Sequence, residues 1–451
     1  PNYYEDSLPP VVEIGPGSPT GLLSGTGTKF PVKYQRALYA FDWTFGTIWA
    51  IHLKQEGAGY VGTRENFLSR SALPLTDAAV GKDGHLYFLV GGRGTQSAMY
   101  RVRYTGKEST EPAPALDPTK ARQLARQLEN FHGVVDSSAV EMAWPYLGSE
   151  DRFLRHAARV AVESQPVETW IERLNGVSFH QTMITACVAL ARSGSAEQQS
   201  LVFNTLGRIP FASLPLSQKL GFLRALSLTF IRMDRPSEIQ REMILNVLER
   251  ELPADNADLN TELIRVLTYL QSPEVVAKTI ALIKNRPETI VPDWAAIAAR
   301  NPSYGASIKG FLDNPPPSRE VYYVLMLSNV QNGWTLEQRK ACIELLNEAG
   351  KGSGGASFPG FLANIRDLHL SQMSNEHRSA LADISGESFN PVPDFEIKPP
   401  QGPGRQYTLE LAGKHVKSLK GASFQNGRSL YFSVSCGACH RLGGLGGGHR
   451  P

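Results

Sequence analysis

The hydrophobic period of this chain changes once, near residue 110, and that change limits the folds open to it. Before it, aromatic and β-branched residues come in short runs. Ala37–Trp43 and Thr47–Leu53 are separated only by Thr44-Phe45-Gly46, which is hairpin spacing. A second set comprises Leu75–Val80, a tight Gly81-Lys82-Asp83-Gly84 turn, His85–Val90, a glycine cluster and Ser97–Tyr104. After the linker Glu111-Pro112-Ala113-Pro114 the spacing becomes helical. Leu124, Leu128 and Phe131 share one face, as do Phe153, Ala157, Val160 and Ala161. The same holds for Met243, Ile244, Val247 and Leu248, and for Leu259, Leu263, Val266, Leu267 and Leu270.

This order predicts a multidomain protein, sheet first and helices second. Strands at this spacing, with Asp-Gly before Leu-Tyr-Phe, have the pattern of β-propeller blades. Two blades cannot close a ring, so residues 1–106 are expected to be the C-terminal blades of a propeller whose other blades precede Pro1. Successive helices broken by Gln165-Pro166, Arg235-Pro236 and Ser272-Pro273 predict a HEAT-like helical array over 118–385, with the Met and aromatic positions of its apolar faces in the core. Residues 386–406 carry Pro391, Pro393, Pro399, Pro400 and Pro403 with Gly402 and Gly404, and form a linker. A short segment, Tyr407–Leu411, and a helix from about Ser423 to Ser433 follow. Gly91-Gly92-Arg93-Gly94 precedes a strand and lacks the Lys-Ser/Thr of a phosphate loop, so an inter-strand turn is expected there.

Charge narrows the partners. A net charge of +3 with 20% charged residues argues neither for nucleic-acid binding nor for a polybasic membrane anchor. No run of about 18 or more apolar residues exists, so no transmembrane segment is expected in this chain. It opens Pro1-Asn2-Tyr3-Tyr4, without Met or a signal segment, and reads as a mature or truncated chain with a signal peptide expected upstream. Cys187 and Cys342 lie in helical stripes and are expected as small buried hydrophobes.

The remaining cysteines form Cys436-Gly437-Ala438-Cys439-His440. Two cysteines spaced to bond the vinyl groups of one haem, followed at once by a histidine for its iron, is the c-type haem attachment pattern. A zinc half-site lacks its second CxxC, and a thioredoxin-like pair lacks its βαβ flanks. Cys436 and Cys439 are therefore the expected covalent haem anchors, and His440 the proximal iron ligand. Met373, the last Met, lies in the helical region, and His449 is too close to His440 to reach the opposite face of the ring. The haem domain is accordingly expected to be cut off before its distal half.

Asn426-Gly427-Arg428-Ser429-Leu430-Tyr431-Phe432 before the motif resembles the first helix of an all-α class I cytochrome c, so 407–451 reads as the N-terminal part of such a domain. Gly427 and Phe432 are similar to the pair that packs this helix on the C-terminal helix. Pro451 is similar in position to the proline that orients the proximal imidazole, although Arg450 replaces the usual glycine. Further upstream, Phe41–Gly46, Leu73–Asp77, Gly91–Ser97, Phe131-His132-Gly133, Ala143-Trp144-Pro145, Asp151-Arg152-Phe153 and Gly355–Phe361 resemble stretches of the PVC-type haem-binding CxxCH proteins. That family fuses a sorbosone-dehydrogenase-like propeller, a HEAT-like array and a cytochrome c domain.

The resemblance implies a periplasmic or otherwise extracytoplasmic redox protein with haem c, an electron-transfer partner protein and a link to a dehydrogenase. A binding scaffold for protein or polysaccharide with a peripheral haem is the alternative. A quinone-dependent sugar or alcohol dehydrogenase in the complete propeller, with PQQ and calcium, is a third expectation. Its local candidates are His52, His85, Arg93 and Arg101, each of which is also an ordinary surface or turn residue.

Overall fold

The computed structural model describes residues 1–71, 73–92, 95–355, 357–386, 389, 396–400, 406, 408–416, 421–440 and 442. The chain divides into two compact units, Pro1–Leu282 with Pro292–Lys309, and Ile283–Val291 with Gly310–Pro451.

The first unit begins with two antiparallel sheets. One has β1 (Pro19–Ser24), β2 (Leu38–Asp42), β3 (Thr47–Glu56) and β4 (Gly59–Ser69) in chain order; the other has β5 (Leu75–Val80), β6 (Leu86–Gly92) and β7 (Thr95–Val102). The expected hairpin is present, with Leu38 opposite Ile51 and Asp42 opposite Thr47. Its turn is held by the buried Asp42 carboxylate, which accepts from Phe45 N at 2.8 Å and from Ser18 N at 2.6 Å. β1 and β4 carry too many polar or exposed residues to signal a strand in sequence; β4 forms by pairing with β3 from Thr47↔Ser69 to Glu56↔Gly59. Phe30, Tyr39, Phe41, Ile48, Leu75, Leu86 and Phe88 make one core shared by the two sheets. The indole of Trp43 ties them further by donating to Gly91 O at 2.9 Å. The opposite face of the first sheet, with Phe45, Trp49 and Ile51, is covered by Ile297, Tyr304 and Ile308 from the returning segment Pro292–Lys309.

Helices follow: α1 (Lys120–Glu129), α2 (Arg152–Glu163), α3 (His180–Ser193), α4 (Gln199–Gly207), α5 (Leu216–Arg232), α6 (Glu238–Leu248) and α7 (Ala257–Tyr269). Of these, α1, α2, α3, α5 and α7 pack one against the next. Asp151 joins sheet to helices. Its carboxylate caps α2 at Phe153 N and Leu154 N and also accepts from Ala58 N at 2.6 Å, in the β3–β4 turn. The turn requires Gly57, at φ +55°, because a Cβ there would lie 2.2 Å from Asp151 Oδ2.

Leu259, Leu263, Val266, Leu267 and Leu270 are buried as their period predicts. The face on α6 is a correction. Met243 and Val247 are 61% and 45% exposed, and the buried residues of α6 are Leu245 and Leu248. The apolar stripe lines an open cavity of about 340 Å³ with Phe203, Leu206, Ile209 and Phe222, because no later element packs over it among the described residues. Cys187 and Cys342 are buried free thiols, as expected.

In the second unit, α8 (Ser318–Leu327), α9 (Leu336–Lys351) and α10 (Phe358–Ser371) pack on one another, and Ile343 of α9 forms a buried cluster with Met373 and Leu381. Between α8, α9 and α10 lies the buried pair Arg339 and His369. The imidazole Nε2 donates to Val324 O at 2.8 Å, and its Nδ1 accepts from Arg339 Nη1 at 3.4 Å. The guanidinium also lies 3.9 Å over the Trp334 ring. Arg339 is 2% exposed, and no carboxylate pairs with it among the described residues. Burial, reinforced by the charge of Arg339, lowers His369 to about 4, so the imidazole is neutral near pH 7. The last described helices are Leu409–Val416, α11 (Phe424–Ser433) and α12 (Cys436–Cys439). Pro391, Pro393, Gly402, Pro403, Gly404 and Tyr407 lie outside the described residues.

Candidate functional site

Ser423 caps α11 by accepting from Asn426 N at 3.3 Å, and Lys398 N donates to Ser429 Oγ at 2.8 Å. The helix is thus tied at its start and in its middle. After Ser433 the backbone breaks at Ser435, whose φ is +63°, and restarts as the single turn Cys436–Cys439. His440 N closes that turn on Cys436 O at 2.9 Å. Positions 436 and 439 are three apart on one helical turn, which places them on one side of it. Gly437 is required by close approach, since a Cβ there would lie 2.4 Å from the Phe432 ring. Tyr431 meets Phe432 edge-on at 5.3 Å. Cys436 is an exposed free thiol, and His440 is exposed directly behind the turn.

Met373 is buried in its own core with Ile343 and Leu381. A Cβ on Gly427 would meet nothing within 4 Å. Arg441, Gly443–Gly448, His449, Arg450 and Pro451 lie outside the described residues.

The four sheet candidates have local roles or fall outside the description. His52 bonds Glu65 through Nε2 at 2.8 Å, and Glu65 also accepts from Lys33 at 2.6 Å and Tyr34 at 2.8 Å. The hydrogen bond from Lys33, then that from Tyr34, with a further one from His52, holds the Glu65 carboxyl down to about 2. His85 lies after its turn, 4.0 Å from the Asp83 carboxylate, and Arg101 is exposed on β7 opposite Tyr87. Arg93 lies outside the described residues. No hydrogen bond or ion pair joins His52, His85 and Arg101 to one another, and no group of three His, Cys, Asp or Glu side chains able to hold a metal occurs among the described residues.

A second site was not anticipated. The segment Tyr3–Ser7 is folded in a turn that Ser7 N closes on Tyr4 O at 3.2 Å, and it packs on α2, α3, α5 and α7, each of which presents an arginine to it. Arg155 of α2 pairs with the buried Glu5, which also accepts from Gln181 at 3.4 Å. Arg224 of α5 donates twice to Asp6, from Nε and Nη2, each at 2.8 Å, and Arg192 of α3 approaches the same carboxylate at 3.3 Å. The Arg224 guanidinium also lies 4.0 Å over the Tyr4 ring. At the far end, Tyr3 donates to Glu262 at 2.7 Å, and Arg265 donates to the Tyr4 hydroxyl at 2.7 Å. Arg152 takes backbone carbonyls, donating to Asn2 O, Tyr4 O and Ser7 O. Burial alone would raise the Asp6 carboxyl; the bonds and charge of Arg224, with the charge of Arg192, outweigh it and hold it below the usual carboxylate range. A signal existed in Arg152, Arg155 and Arg159, which recur at helical spacing beside buried Ala and Leu positions.

No family model, no curated protein and no solved structure matches this chain.

Proposed function

We propose that this chain carries covalently attached haem c and transfers electrons as the redox port of a periplasmic or otherwise extracytoplasmic multidomain protein. The observation that carries the reading is the helical turn Cys436–Cys439 with His440 directly behind it. The donor set suits the group: cysteines three positions apart in sequence on one backbone turn, a histidine next in sequence, and an exposed Cys436 and His440. Cys436 and Cys439 would form the thioether links and His440 would ligate the iron. Bound haem supplies one-electron chemistry. The Phe432 contact with Gly437 and the cap at Ser423 hold the turn on its helix.

The same proposal includes the propeller, HEAT-like and class I cytochrome c identities and an electron-transfer partner protein. Chain-order antiparallel sheets are compatible with blades, and the succession of α1, α2, α3, α5 and α7 is compatible with a stacked array. Dehydrogenase activity on a sugar or alcohol, with PQQ and calcium, rests on the family resemblance alone.

The test is expression with a cytochrome c maturation system, followed by acid-acetone extraction. Haem should stay with the protein, and Cys436→Ala with Cys439→Ala should abolish its retention. Extraction of all haem from the unaltered protein would reject the reading. The alternative, a binding scaffold with a peripheral haem, is favoured by the arginine-lined groove. Under that alternative the double cysteine variant keeps its partner binding.

A further inference from the structure

The groove formed by α2, α3, α5 and α7 is built more elaborately than a packing contact needs. Arg152, Arg155, Arg159, Arg192, Arg224 and Arg265 outnumber the array's own acidic partners, Glu163 and Glu262. The missing negative charge comes from Glu5 and Asp6 of the segment laid across them. Buried ion pairs are poor sources of net stability and are better attested as devices of specificity. Three features are those of peptide recognition. Arg152 reads main-chain carbonyls, independent of side-chain identity. Arg224 combines a bidentate grip on a carboxylate with stacking on the ring two residues earlier. Glu262, 1% exposed, accepts a phenol proton and would repel a polyanion at that end.

We propose that this groove is a recognition site for acidic-aromatic peptide segments folded in turns, with Tyr3–Ser7 as its occupant in cis and segments of like chemistry from a partner protein as its ligands in trans. The inference is independent of the haem reading. It supplies the helical region with a partner class: a chain presenting adjacent tyrosines followed by adjacent carboxylates, with a turn like the one Ser7 N closes on Tyr4 O at 3.2 Å. Charge complementarity gives such a ligand its encounter rate and register, and the aromatic contacts give it selectivity over other acidic segments.

The experiment uses the full chain and a fluorescein-labelled, N-acetylated peptide of the sequence Pro1–Leu8, read by anisotropy. In the unaltered protein the groove is filled and trans binding should be weak. In Glu5→Gln with Asp6→Asn, which weakens the cis segment, the peptide should bind about tenfold tighter or more. Adding Arg224→Gln should reverse that gain, and raising NaCl from about 0.05 M to about 0.5 M should weaken binding severalfold. A folded double variant that fails to bind the peptide, or binding indifferent to Arg224→Gln, would overturn the proposal. So would a short oligonucleotide that displaces the peptide at equal concentration, because the groove would then be a general anion surface. Asp6→Asn alone is the milder variant. If both unfold by far-UV circular dichroism, the segment is an inseparable part of the core and the recognition role is rejected.

Discussion

Two clusters of buried and half-buried arginine in this protein solve the same electrostatic problem in opposite ways. In the first unit, Arg155 and Arg224 are neutralised by carboxylates on a chain segment that crosses the helices. In the second, Arg339 has a neutral imidazole and an indole face as partners, all on elements packed into one core. The difference lies in what each cluster can do when broken. In the proposed recognition role Tyr3–Ser7 lifts away and hydrates its charges, which caps the loss at the segment's own binding free energy. Arg339 and His369 sit on α9 and α10 and cannot separate without unfolding the unit.

His369→Leu is therefore expected to have the largest effect. It removes the acceptor of Arg339 and the donor to Val324 O, leaving a buried charge uncompensated, at about 3–5 kcal/mol in urea unfolding. A loss below about 1 kcal/mol would show that Trp334 alone satisfies the guanidinium.

Acidification should produce a comparable effect. His369 is held at about 4 while an unfolded imidazole titrates near 6.5, so the unfolded state takes up the proton first. Its contribution is present above about 6.5 and is lost as pH falls toward 4, on the order of 3 kcal/mol. His156, lowered to about 4 by burial and then by Arg159, titrates in the same window, so the measurement belongs in a His156→Asn background. The Asp6 contribution should survive that window, because its depressed carboxyl is lost only below its ordinary value of 3.8. A flat stability profile between pH 6.5 and 4 would contradict the neutral state assigned to His369.

Arg224→Leu should cost less, about 1–2 kcal/mol, and should speed amide exchange across residues 3–7 more than elsewhere. A loss equal to that of His369→Leu would erase the proposed distinction between a separable and an inseparable cluster. The smallest effect is expected from Lys33→Ala, which removes a largely exposed pair with Glu65 and should leave the urea midpoint nearly unchanged.

Much of the local structure was legible in the residues. The β2–β3 hairpin followed from two apolar runs and a short turn and α7 from its leucine period, and the helix expected from about Ser423 to Ser433 is α11. The haem-type motif needed no structure to be noticed, and its backbone is a single helical turn. The buried face of α6 was misjudged. Period identifies the apolar stripe of a helix, but whether another element covers that stripe depends on the path of the chain, and here Met243 and Val247 line an open cavity. β4 was missed because a strand with Thr, Arg, Glu and Asn shows its character only through the partner it pairs with.

Sequence by itself determined the order of sheet and helix, the hairpin spacing at Thr44-Phe45-Gly46, and the positions of the two cysteines and histidine that define the candidate haem site. These are local properties, set by neighbours within a few residues. Tertiary structure alone decided that Pro292–Lys309 returns to cover the first sheet, and that Glu5 and Asp6 meet arginines on three helices more than a hundred residues away. Charge pairing carries no sequence period. A carboxylate near the start of the chain and a guanidinium on a distant helix give no joint signal until packing brings them within hydrogen-bond distance.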